Sequence, residues 1–218
     1  MIWTSRLAYV VGLIATDGSL SKDKRHIILT SKDLEQIQTF AKLLNLKNKI
    51  GLKGSSYNKE KKYYFIQFGN VRLYRFLESI GLTPNKTKSI STLLIPDSYF
   101  PDFLRGSLDG DGYTYSYWDR RWKNSFLLYL GFISASKAHL EWISSKIQKL
   151  YGLKGNINFM GRSTYRLIFA KRASLELIKM LYYQDNLPCL GRKRLKILRS
   201  LDIILHNAEV GKLVDPLP

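Results

Sequence analysis

A chain of 218 residues that is 45% hydrophobic can bury one large core or two small ones. Its 35 Lys+Arg against 17 Asp+Glu leave a formal charge of +18, which repels itself in a compact fold and points to a polyanionic partner, nucleic acid before a membrane surface. One cysteine, Cys189, excludes an intramolecular disulfide, and His26, His139 and His206 stand too far apart for a zinc motif.

No apolar run approaches the roughly 20 residues of a spanning helix, and the start Met1-Ile2-Trp3-Thr4-Ser5-Arg6 lacks the pattern of an export signal. A reducing compartment, cytoplasmic or organellar, is expected. The first element is a helix over residues 7–14, apolar on every side and therefore to be buried, running into Thr16-Asp17-Gly18. A short turn at Lys22-Asp23-Lys24 precedes a strand at 25–30. An amphipathic helix follows, with apolar residues at 34, 37, 41 and 44, then a second hairpin ending in a strand at 63–68, then another helix. Residues 82–99, with two prolines and many Ser, Thr and Lys, read as a linker, and Pro101 suits the first turn of the next helix.

The second half repeats the order. An apolar helix at 103–108, interrupted by Arg105 and Ser107, ends in Asp109-Gly110-Asp111-Gly112. A longer excursion through residues 117–124 leads to a strand at 126–134, an amphipathic helix with apolar positions 140, 143, 147 and 150, and a strand at 165–169. A last helix is expected over about 192–205, and the tail 207–218 has no clear periodicity. The reading is α+β, two αββαββα halves with antiparallel sheets: residues 1–81 and 100–206, joined by 82–99.

Self-similarity supports the duplication. Gly12-Leu13-Ile14-Ala15-Thr16-Asp17-Gly18 is echoed 94 positions later by Gly106-Ser107-Leu108-Asp109-Gly110-Asp111-Gly112. Ser31-Lys32 through Ile37 is echoed by Ser136-Lys137 through Ile143 with one residue inserted. A helical glycine costs roughly 1 kcal/mol relative to alanine, so Gly12 and Gly106 imply a return, the close approach of two helix backbones. Packed in parallel, these helices would bring Asp17 and Asp111 together. Two converging carboxylates repel unless a divalent cation neutralises them; Mg²⁺ suits the hard oxygens, with main-chain carbonyls at Thr16 and Gly110, DNA phosphates and water completing the set. Paired metals activate water for in-line attack on phosphorus. The bland alternative for each Asp-Gly is a helix C-terminal turn, but two unrelated caps need not recur at matching places in a repeat. Asp109-Gly110-Asp111 does not open a calcium loop, because Tyr113 holds the fifth position and no downstream Glu fits.

Residues 10–18 and 104–112 resemble the two LAGLIDADG motifs of monomeric homing endonucleases, and motif spacing, repeat order and charge extend the likeness over nearly the whole chain. The resemblance implies a monomer with internal pseudo-two-fold symmetry. It implies cleavage of double-stranded DNA at a long asymmetric site, leaving staggered 3′ overhangs, with about two or three Mg²⁺ ions near Asp17 and Asp111. The acid two positions before each metal ligand is Ala15 in the first motif and Asp109 in the second. Lys32 and Lys137 match lysines that order water near the metals, with Ser31 and Ser136 in place of the usual glutamine; Lys86 and Lys193 match a second lysine pair. A saddle of two sheets would lie in the major groove. On that saddle Tyr113, Tyr115 and Tyr117 share one face, and Arg25, Lys59, Lys61, Arg120, Arg121, Arg162, Tyr165 and Arg166 are candidate contacts. Against these stand a half-buried sheet face for the tyrosines and solvated surface charge for the lysines. Two further functions share the resemblance, an RNA maturase assisting intron splicing and a DNA-binding regulator that does not cut.

Overall fold

The structure is a computed structural model that describes residues 1–54, 62–122 and 125–214, with the side chains of 207–214 excepted. The first helix, α1 (Ser5–Asp17), starts where the Thr4 hydroxyl accepts a hydrogen bond from the Leu7 amide at 3.1 Å. Residues 7 to 15 are all buried, as their unbroken apolar run requires. Then come β1 (Gly18–Leu20), β2 (His26–Ser31), α2 (Leu34–Leu43), β3 (Gly51–Gly54), β4 (Lys62–Gly69) and α3 (Val71–Ser79). After a connection that tucks Leu82, Ile90, Leu93 and Ile95 into the core, the order repeats. Its members are α4 (Phe100–Gly110), β5 (Gly112–Trp118), β6 (Phe126–Ser134), α5 (Lys137–Tyr151), β7 (Asn156–Gly161), β8 (Thr164–Phe169) and α6 (Lys171–Leu181). Pro101 lies in the first turn of α4. The sheets are antiparallel, ordered β1-β2-β4-β3 and β5-β6-β8-β7.

Three expectations change. The last helix, α7 (Gly191–Val214), runs well past Leu205; nothing before Pro216 forbids helix, and Ala208, Glu209, Lys212 and Leu213 favour it. The apolar stripe of α2 is Ile37 and Phe40 with Gln36 beside them, whereas Leu34 is 37% exposed. Third, the register between the repeats is not the one that matched Ser31-Lys32 to Ser136-Lys137. Gly18 pairs with Leu29 and Gly112 with Phe132, and the Asp33 and Ser136 amides donate to Ser31 Oγ and Ser134 Oγ at 3.1 and 3.0 Å. Ser31 therefore corresponds to Ser134, Lys32 to Ala135 and Gln36 to His139. Ser136 is the N-cap of α5, accepting from the His139 amide, so it cannot also close the preceding strand.

The halves meet along α1 and α4. A Cβ on Gly12 would stand 2.2 Å from the Phe103 carbonyl oxygen, and one on Gly106 only 2.1 Å from that of Tyr9. Gly12 faces Gly106, and Thr16 faces Gly110, so the helices run side by side in the same direction, in register with the repeat. The buried Arg105 is satisfied by three acceptors: its guanidinium donates to the carbonyls of Pro188 and Leu181 and to Asp102, at 2.9, 2.8 and 2.6 Å. No helix among the described residues is long and apolar enough to cross a membrane.

His139 shows how the second half diverged. Its ring packs against Phe103 and Trp142, with Nδ1 2.7 Å from the Ser91 carbonyl oxygen, and burial holds its pKa down at about 4. The unfolded chain takes up this proton near pH 6.5, the folded chain only near 4, so folding stability falls as pH drops through that window. Against a His139→Gln variant, the wild type should lose up to about 3 kcal/mol between pH 7 and pH 4 in chemical denaturation; parallel curves for the two would remove His139 as the cause.

Candidate active site

Asp17 ends α1 and Asp111 follows the end of α4, so the glycine-packed pair of helices delivers both carboxylates to one cleft. Gly110 makes this possible, since a Cβ there would sit 2.0 Å from Thr16 Oγ1 and 3.2 Å from Asp17 Oδ2. The Asp17 pKa is raised to about 6, first by burial and second by the charge of Asp111. It is opposed by Gln36, whose Nε2 donates to Asp17 Oδ2 at 2.8 Å, and by Lys193 and Lys86. Asp111 is more open to solvent, yet protein atoms crowding the inner side of its carboxyl raise it too, against the same two lysines.

The lysines lie behind the acids and close the helix ends. Lys86 Nζ donates to the Gly18 carbonyl oxygen at 2.5 Å, and Lys193 Nζ to those of Leu108, Gly110 and Gly112 at 2.6, 2.8 and 2.7 Å. Carbonyls left over at the last turn thus find donors, and two positive charges stand near the carboxylates. Burial lowers both amines, Lys193 to about 8.

The donor set suits a hard divalent cation. The charge of Asp111 raises the affinity of Asp17 for a proton, and the same negative field favours a metal cation. Among the described residues no cluster of three or more His, Cys, Asp or Glu encloses a cation, so further oxygens would come from carbonyls, phosphate or water. The Gly110 carbonyl already accepts from Lys193, and the Thr16 hydroxyl turns back to the carbonyls of Gly12 and Leu13, at 3.2 and 3.1 Å. Asp109 lies deeper, accepting from Tyr9 Oη and the Leu190 amide, each at 2.8 Å, and burial lifts its pKa to about 6. It joins α1, α4 and the segment before α7.

Lys32 lines the cleft with Asp17 and Asp111. Lys137 does not: in the observed register it stands outside the strand end, paired with Glu141 at 2.9 Å on the exposed side of α5. Of the cleft residues absent from the sequence reading, which include Thr30, Asp33 and Tyr63, two make the polar contacts that matter most here. Gln36 is one, and its signal was a polar residue next to the apolar stripe of α2. The other is Arg192, which grips Asp33 through two bonds of 2.7 Å and ties α7 to the first half.

On the sheets, alternation decides which candidates face outward. Tyr113, Tyr115 and Tyr117 share the face away from the helices, and Thr114 and Ser116 point inward, Ser116 meeting Ser200 of α7 at 3.0 Å. Arg166, opposite Ile133, belongs to the open face. Tyr165 is one residue out of phase, so it packs toward the core and Phe159 and is not on that face. Arg162 and Ser163 form a left-handed turn at the hairpin tip, with φ of 49° and 59°. Arg120 is exposed; Arg121 forks onto Asp119 at 3.1 and 2.8 Å. Arg25 is exposed and lies over Gly69. Lys59 and Lys61 lie outside the described residues.

Residues 4–81 match the family model of the LAGLIDADG-like domain. None of the curated proteins matches the chain in sequence. Among solved structures, the homing endonuclease I-WcaI bound to its DNA recognition sequence is similar at 15% identity, covering 88% of each chain, with a TM-score of 0.61. I-DmoI in complex with DNA and Mn is similar at 22% identity over 82% of this chain and 97% of its own, with a TM-score of 0.53. The N-terminal LAGLIDADG domain of DUF199/WhiA is similar at 16% identity over 84% and 83%, with a TM-score of 0.55. Identities this low establish the fold and leave the activity to the residues. The chain as a whole has the two-repeat, α+β LAGLIDADG fold, and its residues 4–81 are similar to the LAGLIDADG-like domain.

Proposed function

We propose that this protein is a metal-dependent endonuclease that cuts double-stranded DNA at a long asymmetric site as a monomer. The observation that carries the reading is the convergence of Asp17 and Asp111 at the ends of two glycine-packed helices, in a chain of charge +18. A divalent cation such as Mg²⁺, held by the two carboxylates, would supply Lewis acidity and lower the pKa of a bound water. The chain's own residues do the rest. Gln36 fixes the Asp17 carboxylate, Lys86 and Lys193 lock the backbone carrying both acids, and Lys32 offers a cation to a phosphate entering the cleft. Arg25, Arg120, Arg162 and Arg166 meet the duplex along the saddle. I-WcaI and I-DmoI, solved with DNA, support the substrate class; DUF199/WhiA shares the fold, so cleavage rests on the acids.

The decisive experiment incubates the protein with a plasmid library carrying randomised inserts and Mg²⁺, then sequences the ends produced. Discrete double-strand breaks at a shared sequence support the proposal. Tight selective binding with intact plasmids would instead make the protein a DNA-binding regulator, and cleavage or folding of intron RNA a maturase. Gln36→Ala should slow cleavage about 10- to 100-fold and raise the Mg²⁺ concentration needed, as loss of a ligand's hydrogen-bond partner does. Unchanged metal dependence in that variant would deny Gln36 its positioning role.

A further inference from the structure

The two open sheet faces differ in chemistry. On the second, Tyr113, Tyr115 and Tyr117 project from alternate positions of β5 with ring centroids 6.1 and 6.0 Å apart, and Tyr129 of β6 stacks on Tyr115 at 4.8 Å and 10°. Tyr113 lies across Gly131, where a Cβ would come within 2.6 Å of the ring. Leu127 and Ile168 sit on the same face, opposite Tyr117 and Gly131. On the first sheet the residue in Tyr113's place is Ser19, and β1 ends one residue later. Ser19 there stands in one row with Ile28 and Gln67, and the rings on this face, Phe65 and Tyr63 of β4, lie opposite Thr30 and Lys53, with the Lys53 ammonium 5.7 Å from the Phe65 ring centroid.

We infer that the tyrosine row is a specificity-determining surface that reads thymine through its 5-methyl group, in the half of the duplex lying under the second sheet. The inference rests on the proposal that the saddle binds duplex DNA. In the major groove the thymine methyl is the one apolar feature a base edge offers, and apolar side chains are its partners. A ring spacing of 6.0 to 6.1 Å is close to two base-pair rises of roughly 3.4 Å. Tyr113 comes two residues after Asp111, so the row starts beside the acids and runs outward along the groove. The rings are already ordered against one another and against Gly131, so binding fixes few new torsions. Among the described residues, the outward positions of β5 and β6 carry no cation and no side-chain amide; Arg166 of β8 and Asn158 of β7 stand beside each other further across the sheet.

The test selects bound sequences from a randomised duplex pool in EDTA, once with thymidine and once with deoxyuridine, which lacks the methyl. The thymidine pool should return thymine at roughly alternate positions on one side of the centre only. The deoxyuridine pool should lose that bias, and substitution in one selected duplex should weaken binding about fourfold per methyl removed. Combined Tyr113→Phe, Tyr115→Phe, Tyr117→Phe and Tyr129→Phe substitutions should keep the bias, because the ring and not the hydroxyl makes the contact. Tyr115→Ala with Tyr117→Ala should lose it while melting cooperatively. A thymine bias that survives deoxyuridine, or that the Phe set abolishes, overturns the inference. Failure to retain any sequence selectively would overturn the DNA-binding proposal beneath it as well.

Discussion

Asp17→Asn and Asp111→Asn are each expected to lower double-strand cleavage by at least about 10³-fold without weakening duplex binding. Asparagine keeps the shape of the side chain and can still accept from Gln36, so the cleft survives. What disappears is one of two negative charges that hold a cation. Removing a carboxylate near DNA phosphates relieves repulsion, so affinity in EDTA should hold or rise.

The same variants have a stability signature that activity alone would not provide. The folded chain binds the Asp17 proton with a pKa of about 6, against 3.8 for the free group. Between those values the native state holds more protons than the unfolded one, so metal-free stability falls as pH rises through that window. At pH 7 the charged Asp17 costs the fold up to about 3 kcal/mol, and Asp17→Asn should therefore melt higher than wild type in EDTA. Adding Mg²⁺ should raise the wild-type melting temperature and leave the variant nearly unmoved. At limiting Mg²⁺, cleavage by the wild type should fade below about pH 6, as protons compete with the cation for Asp17, and more Mg²⁺ should move that limit to lower pH. A wild type that melts no differently with Mg²⁺, or an Asp17→Asn enzyme that still cuts, would remove the acids from the centre of the mechanism.

The acid pair was legible because it follows from constraints that act locally. A helix apolar on all sides with one glycine has few uses other than burial against a second helix, and the duplication named its partner. Strand positions were legible for the same reason, since a half-buried strand must alternate. The matching of repeats beyond the motifs was not. Ser-Lys occurs twice, and the likeness of the dipeptide outweighed the caps, which stand at Asp33 and Ser136. That choice moved Lys137 onto the site and hid Gln36, whose counterpart His139 turned to the Ser91 carbonyl instead. Tyr165 failed on parity: its facing depends on pairing Ser134 with Tyr165 across two strands, which no single strand encodes. Lys193 was placed near the acids by resemblance, but its role of capping three carbonyls depends on the path of the chain between α6 and α7.

Gly12→Ala and Gly106→Ala test the other half of the argument, that the acids converge because two backbones touch. The added Cβ would lie 2.2 Å from the Phe103 oxygen in the first case and 2.1 Å from the Tyr9 oxygen in the second. A carbon beside a carbonyl oxygen needs about 3.3 Å, so the helices must part by about 1 Å. Each obstacle is helical backbone, which has no rotamer to yield. Along α1 nine consecutive buried residues lose contact together, and a cost of about 3 kcal/mol or more is expected, the upper range for overpacking. For a chain of this size that corresponds to a fall of roughly 10 °C in melting temperature. Gly152→Ala is the control, because its φ of 68° strains an alanine while nothing stands within 4 Å of the new Cβ. It should cost only about 1 to 2 kcal/mol and leave cleavage intact. The motif variants, assayed well below their melting temperatures, should lose cleavage out of proportion to the unfolded fraction, because parting the helices also parts Asp17 from Asp111. If Gly106→Ala were as stable and as active as Gly152→Ala, the close helix contact would not be what brings the carboxylates together.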